Sequence, residues 1–509
     1  MNNKMAVNQR FHQWLNRCVC ESTVSSMRGR EVDRLAIPMA IMCWRQDFRW
    51  LHSTLAASRL HRALATPRLH STLASRRTHS TLLQEEEMVD DEMDNEPVPL
   101  LRSVFAGAPG CDYIAEPKFL RPHMDTLPAA VPCFRILDDL GRIVPGAEKH
   151  DPQLSSELCV ALLKTMLRVG EFDKIFYEAQ RQGRISFFLT SRGEEATTVG
   201  SCGALEAEDW VLPQYRELGA FLWRGVSFGQ VADHLVGNVR DRAHGRQMPM
   251  MFGDGSRRLF YVKGSLGTHV PHAAGAAYAL KMMQKQSEPS PGVTLAFFGD
   301  GCASTGDVPS GMQIAAVHGC PTIFFCRNNG YAISTSSREQ YASDGIAPRG
   351  IAYGMPVLRC DGNDLLAVWV ATRRAREIAL EEKRPVLIEA MTYRLGAHST
   401  SDDDSKYRTA ESPVAGWDSE RAYWEARSPV IRFGRYLQAR GCWSVQEEEQ
   451  VRKAARRDAI SALEAAEVAA KPEVHQLFSD VLDQESWMVR EQREALNAHL
   501  RTYGDHYQK

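Results

Sequence analysis

Residues 294–335 read TLAFFGDGCASTGDVPSGMQIAAVHGCPTIFFCRNNGYAIST, an order that leaves little choice of architecture. Leu295 to Phe298 are consecutive apolar, β-prone residues that stop at Gly299, as a short buried strand does on entering a tight turn. Asp300 then stands at the carboxyl end of that strand, and Gly301 lets the backbone come close to a ligand. Asp307 to His318 has helical spacing, with an apolar side to pack on a sheet. Thr322 to Cys326 reads as a second strand ending in Arg327, Asn328 and Asn329. In a doubly wound sheet ligands bind outside the carboxyl ends of parallel strands, so Asp300 and Asn329 are expected over one crevice. A carboxylate, an amide oxygen and a nearby carbonyl suit magnesium, which takes few protein ligands and completes its octahedron with water and phosphate oxygens. Arg327 beside them can contact a phosphate. A dinucleotide fingerprint needs a third Gly where Ser304 stands, which disfavours nicotinamide binding.

The totals bound the rest. At 509 residues the chain can bury a large core in several domains. Its 61 basic and 63 acidic residues nearly balance, so no nucleic-acid or membrane partner is implied. The 12 cysteines form no CxxC pair, and Cys302, Cys320 and Cys326 fall where thiols can be buried, which favours a reducing compartment over a disulfide scaffold. Leu35 to Trp44, the longest apolar run near the start, is too short to cross a bilayer. A soluble protein is expected.

Taken in order, residues 1–83 are rich in Arg, Ser, Thr, His and Leu and poor in acids, the composition of a mitochondrial transit peptide or a disordered leader. LHSTLA at Leu51 returns at Leu69, and THSTL follows at Thr78. Met27 and Met39 are alternative starts. The charge inverts at Glu85, and residues 84–150 are expected to form an acidic arm and an extension lying along a neighbouring subunit. Residues 151–410 are expected to form the catalytic domain. It opens with an amphipathic helix from Pro152 to Gln182, followed by a helix from Glu194 to Leu205. A strand at Trp210 ends in Tyr215 and Arg216, which would reach the same crevice. An Arg there can grip a diphosphate at two points or pair with Glu217. Another strand, Leu259 to Val262, leads into the loop Lys263 to His269 and a small-residue helix, Ala273 to Ala279. Leu387 to Ala390 is a further strand, and the polar run 394–409 reads as a mobile loop. Residues 411–509 turn helical, with a capping box at Ser444 to Glu447, a helix reaching about Ala470 and another from Gln484 to Tyr503, whose apolar sides are expected to make subunit contacts. The fold class expected is α/β: a doubly wound, mostly parallel sheet with a helical C-terminal tail.

Gly299-Asp300-Gly301 followed by Asn328-Asn329 resembles the thiamine diphosphate signature. From about Asp112 onward the strings RQGRISFF, QYRE, GRQMP, GAAYA, CRNNGYAIST, DGNDLLAV, LIEAMTYRLGAHSTSDDD and TYGDHY resemble the alpha subunits of the first component of the 2-oxo acid dehydrogenases, and more narrowly the mitochondrial branched-chain branch. Pyruvate-specific relatives typically carry GGSMH where this chain has RQMPM. The resemblance implies the diphosphate-binding domain of a thiamin diphosphate-binding fold. It implies magnesium on Asp300, Asn329 and the Tyr331 carbonyl, and cofactor contacts from Tyr215, Arg216, Gly264, Leu266, Gly301, Cys302, Arg327 and His398, with His398 also catalytic. It implies a potassium site on the Lys263 to His269 loop through Ser265, Thr268 and His269, and phosphorylation by a dedicated kinase at Ser399, with Thr409 as a second position and a phosphatase as counterpart.

The implied partners are a beta subunit in an alpha2beta2 heterotetramer, supplying the Glu that activates the cofactor, and a lipoyl-bearing acyltransferase core in the mitochondrial matrix. An alpha subunit of a pyruvate or acetoin enzyme, or a non-catalytic assembly subunit, are the alternative readings. Three departures from the family pattern stand out. Lys263 and His269 replace Ser and Gln at the potassium loop, where the Lys263 ammonium could take the cation's place. Met251 replaces a His, and Thr305 a Glu.

Overall fold

The computed structural model describes residues 131–284, 292–408, 418–479 and 482–507, all within one compact unit, residues 119–509. The leader, the acidic run and Thr409 lie outside the described residues.

The first strand, β1 (Cys133–Phe134), is followed by the long helix α1 (Ser156–Arg181). Helix α1 starts later than Pro152 because Gln153 is left-handed (φ 50°) and Ser155 is the cap, its hydroxyl accepting from the Leu158 N–H at 3.2 Å. Helix α2 (Glu195–Gly203) precedes β2 (Trp210–Leu212), α3 (Leu218–Trp223) and α4 (Phe228–Val236), the last opened by a complete Ser227/Gln230 capping box. Helix α5 (His269–Gln284) leads to β3 (Thr294–Gly299), α6 (Asp307–His318) and β4 (Thr322–Asn328). A hairpin of β5 (Tyr331–Ala332) and β6 (Thr335–Ser336) runs into α7 (Ser337–Gln340) and α8 (Ala347–Ala352). Next come β7 (Val357–Asp361), α9 (Leu365–Glu381) and β8 (Val386–Met391). The tail holds α10 (Glu420–Glu425), α11 (Pro429–Ala439), α12 (Val445–Val468) and α13 (Trp487–Tyr503).

Six strands form one sheet in the order β1-β7-β8-β4-β3-β2, and every pairing is parallel. Side chains alternate across it. Leu295, Phe297, Ile323, Phe325 and Ile388 join a core with Phe172 of α1, Val368 of α9 and Ala459 of α12. Ala296, Phe298, Phe324, Cys326 and Leu387 join a second core with Val270 and Ala273 of α5 and Met312 of α6. Coverage of both faces explains why β3 and β4 read as unbroken apolar runs. Each fully buried Phe contributes about 1.5–3 kcal/mol.

Three expectations change, and one further stretch gains a definite place. Leu259 to Val262 is not a regular strand: Leu259 makes isolated bridges, in parallel to Val211 in the middle of β2 and to Asp254, onto which the 3-10 turn at Gly255–Arg257 folds it back. The stretch at Cys133, expected along a neighbour, has a place within this chain as well. It adds an edge strand to this chain's own sheet, and Asp364 Oδ2 accepts from the Ile136 and Leu137 N–H groups, both at 2.6 Å, with both side chains buried. The apolar side of α12 is likewise internal, with Ala455, Ala459, Leu463 and Ala466 in the core. At Ser444 half of the capping box forms: its hydroxyl accepts from the Glu447 N–H at 3.2 Å but donates to the Glu447 carboxylate at 2.7 Å.

Candidate active site at the ends of β3 and β4

Gly299 pairs with Arg327 across β3 and β4, so the chain leaves both strands at one level. Asp300 and Asn329 therefore share the wall of a cavity of about 280 Å³, together with Tyr215, Arg216, Arg394 and His398. Cys302 is buried on this wall, and burial pushes its thiol up to about 12.

Asp300 is buried, and its Oδ2 has no hydrogen-bond partner among the described residues. Burial, with Glu194 nearby, raises its carboxyl to about 6. An orphaned buried oxygen needs a partner, and a cation is one that a carboxylate can use. Asn329 is oriented from behind: its Nδ2 donates to Glu194 Oε1 at 2.9 Å, while its Oδ1 accepts from the Tyr331 N–H at 3.2 Å. Gln340 fixes the turn itself, donating to the Asp300 carbonyl at 2.7 Å and to Ser304 Oγ at 3.0 Å. Gly301 is required here, since a Cβ would come within 2.7 Å of the Ala332 Cβ.

Glu194 escaped the sequence reading, where it marked only a helix start. It is fully buried. Burial alone would raise its carboxyl, but the Arg327 and Arg216 guanidiniums outweigh that and keep it below the usual range. Arg327 pairs with Glu194 at 2.6 Å and with Glu217, so it braces the strand ends while also lining the cavity. Glu217 is thus Arg327's partner and not that of Arg216. Arg216 donates to the Thr190 carbonyl at 2.5 Å and to the His398 carbonyl at 2.9 Å, and its Nε lies 3.9 Å from Glu194.

Arg394, just beyond β8, was also missed. It is buried and donates to Ile333 O and to Tyr407 Oη, both at 2.9 Å, yet it forms no ion pair among the described residues. Burial and neighbouring Arg216 lower its pKa. The one available signal was its place directly after a sheet strand.

His398 Nε2 lies 3.3 Å from Tyr215 Oη. Burial, then Arg216 and Arg394, depress this imidazole to about 4. The loop around it is tied down: Asp402 Oδ2 accepts from the His398 N–H and from Tyr407 Oη, both at 2.6 Å, and Arg408 Nη2 donates to the Arg394 carbonyl at 2.5 Å. Ser399 is buried, its Oγ accepting from the Ser401 N–H at 3.2 Å.

Of the loop before α5, Leu266 lines the cavity, whereas Gly264 stands outside its wall. Thr268 Oγ1 donates to the Ser265 carbonyl at 3.1 Å. His269 is buried with Nε2 2.6 Å from the Phe297 carbonyl, and burial depresses it to about 4, so the neutral ring donates from Nε2. Lys263 is half-buried. Met251 packs into the core, and Thr305 Oγ1 donates to the Cys302 carbonyl at 2.9 Å.

The cavity thus combines two strand-end oxygens suited to a hard cation with three arginines and a neutral histidine, a set of groups that in an α/β protein suits a metal-bound anion. The chain belongs to the Dehydrogenase E1 component family, which it matches over residues 163–475. It is 43% identical over 404 residues to the human 2-oxoisovalerate dehydrogenase subunit alpha, mitochondrial, covering 79% of this chain and 86% of that one. The Caenorhabditis elegans protein of the same description is 43% identical over 378 residues, or 74% and 84% of the two chains. The Arabidopsis thaliana 2-oxoisovalerate dehydrogenase subunit alpha 1, mitochondrial, is 45% identical over 381 residues, or 75% and 77%.

Proposed function

We propose that this chain is the mitochondrial alpha subunit of a thiamine diphosphate-dependent dehydrogenase that decarboxylates branched-chain 2-oxo acids and passes the acyl group to a lipoyl arm. The relatives' names point to this substrate class, and the RQMP string, residues 246–249, agrees. One observation carries the cofactor reading: the orphaned Asp300 oxygen and the oriented Asn329 amide face Arg216 and Arg394 across one cavity.

In this reading the sheet is the diphosphate-binding half of a thiamine diphosphate-binding fold. Asp300, Asn329 and the Tyr331 carbonyl hold magnesium. Tyr215, Arg216, Arg394 and His398 receive the diphosphate, with Gly301 and Cys302 beside it and Arg327 bracing from behind. Gly264 and Leu266 lie toward the aminopyrimidine. Bound thiamine diphosphate supplies the electron sink for loss of carbon dioxide. The protein's part is to position it and keep the reacting end dry. Neutral His398, with Tyr215 at its Nε2, can hydrogen-bond the substrate carboxylate or carry a proton during acyl transfer.

The activating Glu and the second half of the cavity are assigned to a beta subunit in an alpha2beta2 assembly, with a lipoyl acyltransferase core as acceptor. Ser399, one residue from His398, is the proposed phosphorylation switch. Roughly −1.5 to −2 added charges there repel the diphosphate and the substrate carboxylate. At the potassium loop the Lys263 ammonium is proposed to stand in for the cation: Thr268 and the Ser265 carbonyl already satisfy each other, and His269 is committed to Phe297. An unchanged thermal midpoint on exchanging sodium for potassium supports this, and a large rise with potassium refutes it.

Coexpression with the beta subunit, followed by turnover of 3-methyl-2-oxobutanoate and pyruvate, tests the function. Preference for the branched acid is expected; preference for pyruvate would reassign the substrate, and no turnover of either would leave only an assembly role.

A further inference from the structure

The hairpin over the cavity has an unusual corner. Ala332 pairs with Thr335, so the turn is only Ile333 and Ser334. Ile333 is left-handed, with φ at 57°. In a two-residue turn whose first position alone is left-handed, that position calls for Gly, and a β-branched residue there is a backbone outlier. Burial of the side chain does not account for the choice, because Ile333 is 53% exposed. The carbonyl of this residue accepts from Arg394 Nη2 at 2.9 Å, which ties the turn to the segment leading into the switch loop. The side chain lines the same cavity as Asp300 and His398, alongside Leu266, itself 41% exposed. Strained residues of this kind persist where the surroundings over-determine them, and they gather at ligand clamps.

From this geometry we infer that Ile333 is a positioning residue: its turn is kept in a strained conformation so that an apolar branched side chain stands over the mouth of the cofactor cavity. This rests on the proposed function. The group covered is a flat, weakly polar ring, the ring end of a cofactor whose diphosphate lies between Asp300 and Arg394. Leu266 and Ile333 then form two apolar walls that the bound ring removes from water, and Arg394 joins the turn to the anion-binding end.

Two substitutions in the coexpressed assembly separate strain from contact. Ile333→Gly removes both: the thermal midpoint of the cofactor-free protein rises by about 1–2 °C, as for a relieved left-handed site in a chain of this size. The same variant binds thiamine diphosphate about tenfold more weakly by calorimetric titration in saturating magnesium, for loss of one apolar wall. Ile333→Ala keeps the Cβ and the strain: the midpoint does not rise, yet binding weakens comparably. Equal binding by all three proteins, or no rise in midpoint for Ile333→Gly, overturns the inference. Failure of the unsubstituted protein to bind thiamine diphosphate strikes instead at the proposed function.

Discussion

Asp300, Asn329, Glu194 and Arg327 form a nested arrangement in which only the front pair is left to meet a ligand. Glu194 and Glu217 neutralise Arg327, and Glu194 also turns the Asn329 amide. His398 shows the same economy. With burial and two arginines depressing it to about 4, it is neutral throughout the physiological range. The pH linkage follows. An unfolded His takes up a proton near 6.5 while this one waits until about 4, so the unfolded state binds more protons between those values. Stability is full above pH 6.5 and falls as the pH drops through that window. NMR titration of the cofactor-free protein is expected to show the His398 ring neutral from pH 5.5 to 8, and a midpoint near 6.5 contradicts this. The meeting of Asp300 and Asn329 in one cavity was legible because GDG and NN sit at strand ends with a fixed topology. Glu194 and Arg394 were not, because their roles arise from segments far apart in sequence converging on one point, which single-sequence periodicity does not carry.

At the scale of elements, β3 and β4 were readable since strands covered on both faces must be apolar throughout, whereas two-residue β1 has no period to detect. Its attachment depends on Asp364, which caps α9 through the Leu366 and Ala367 N–H groups at 3.0 and 3.2 Å and takes the Ile136 and Leu137 N–H groups on its other oxygen. Asp364→Ala strands four buried donors and is expected to cost about 3 kcal/mol or more in chemical denaturation. Asp364→Asn, keeping one acceptor oxygen, costs less. The loop around Ser399 makes a second element-level prediction. Because Ser399 packs against the turn that presents His398, Ser399→Glu is expected to weaken cofactor binding and reduce decarboxylation at least about tenfold, for a buried unpaired charge. Full activity in that variant refutes the proposed switch. The loop's polarity suggested mobility; the hydrogen bonds among Arg394, Asp402, Tyr407 and Arg408 show why polar residues were needed to knit it.

As a whole, the described residues set Asp300 and Asn329 at the ends of a six-stranded sheet, on the wall of a cavity also lined by two exposed apolar side chains, Leu266 and Ile333. Helix α13 presents Trp487, Met488 and Tyr503 to solvent with only Val489 buried among its residues, an amphipathic element without a covering partner among the described residues. Both features suit a subunit completed by another polypeptide. The chain expressed alone is therefore expected to show no decarboxylation of 3-methyl-2-oxobutanoate, and coexpression with a beta subunit to restore it; full turnover by the isolated chain contradicts the assignment. The most direct test of the two strand tips is calorimetric titration of thiamine diphosphate into the coexpressed assembly, with and without magnesium, for the native chain and for Asn329→Ala. Magnesium-dependent binding that weakens by about 100-fold in the variant, on the scale of a lost metal-site group, is the predicted result. Equal binding by both proteins, or binding indifferent to magnesium, would contradict it.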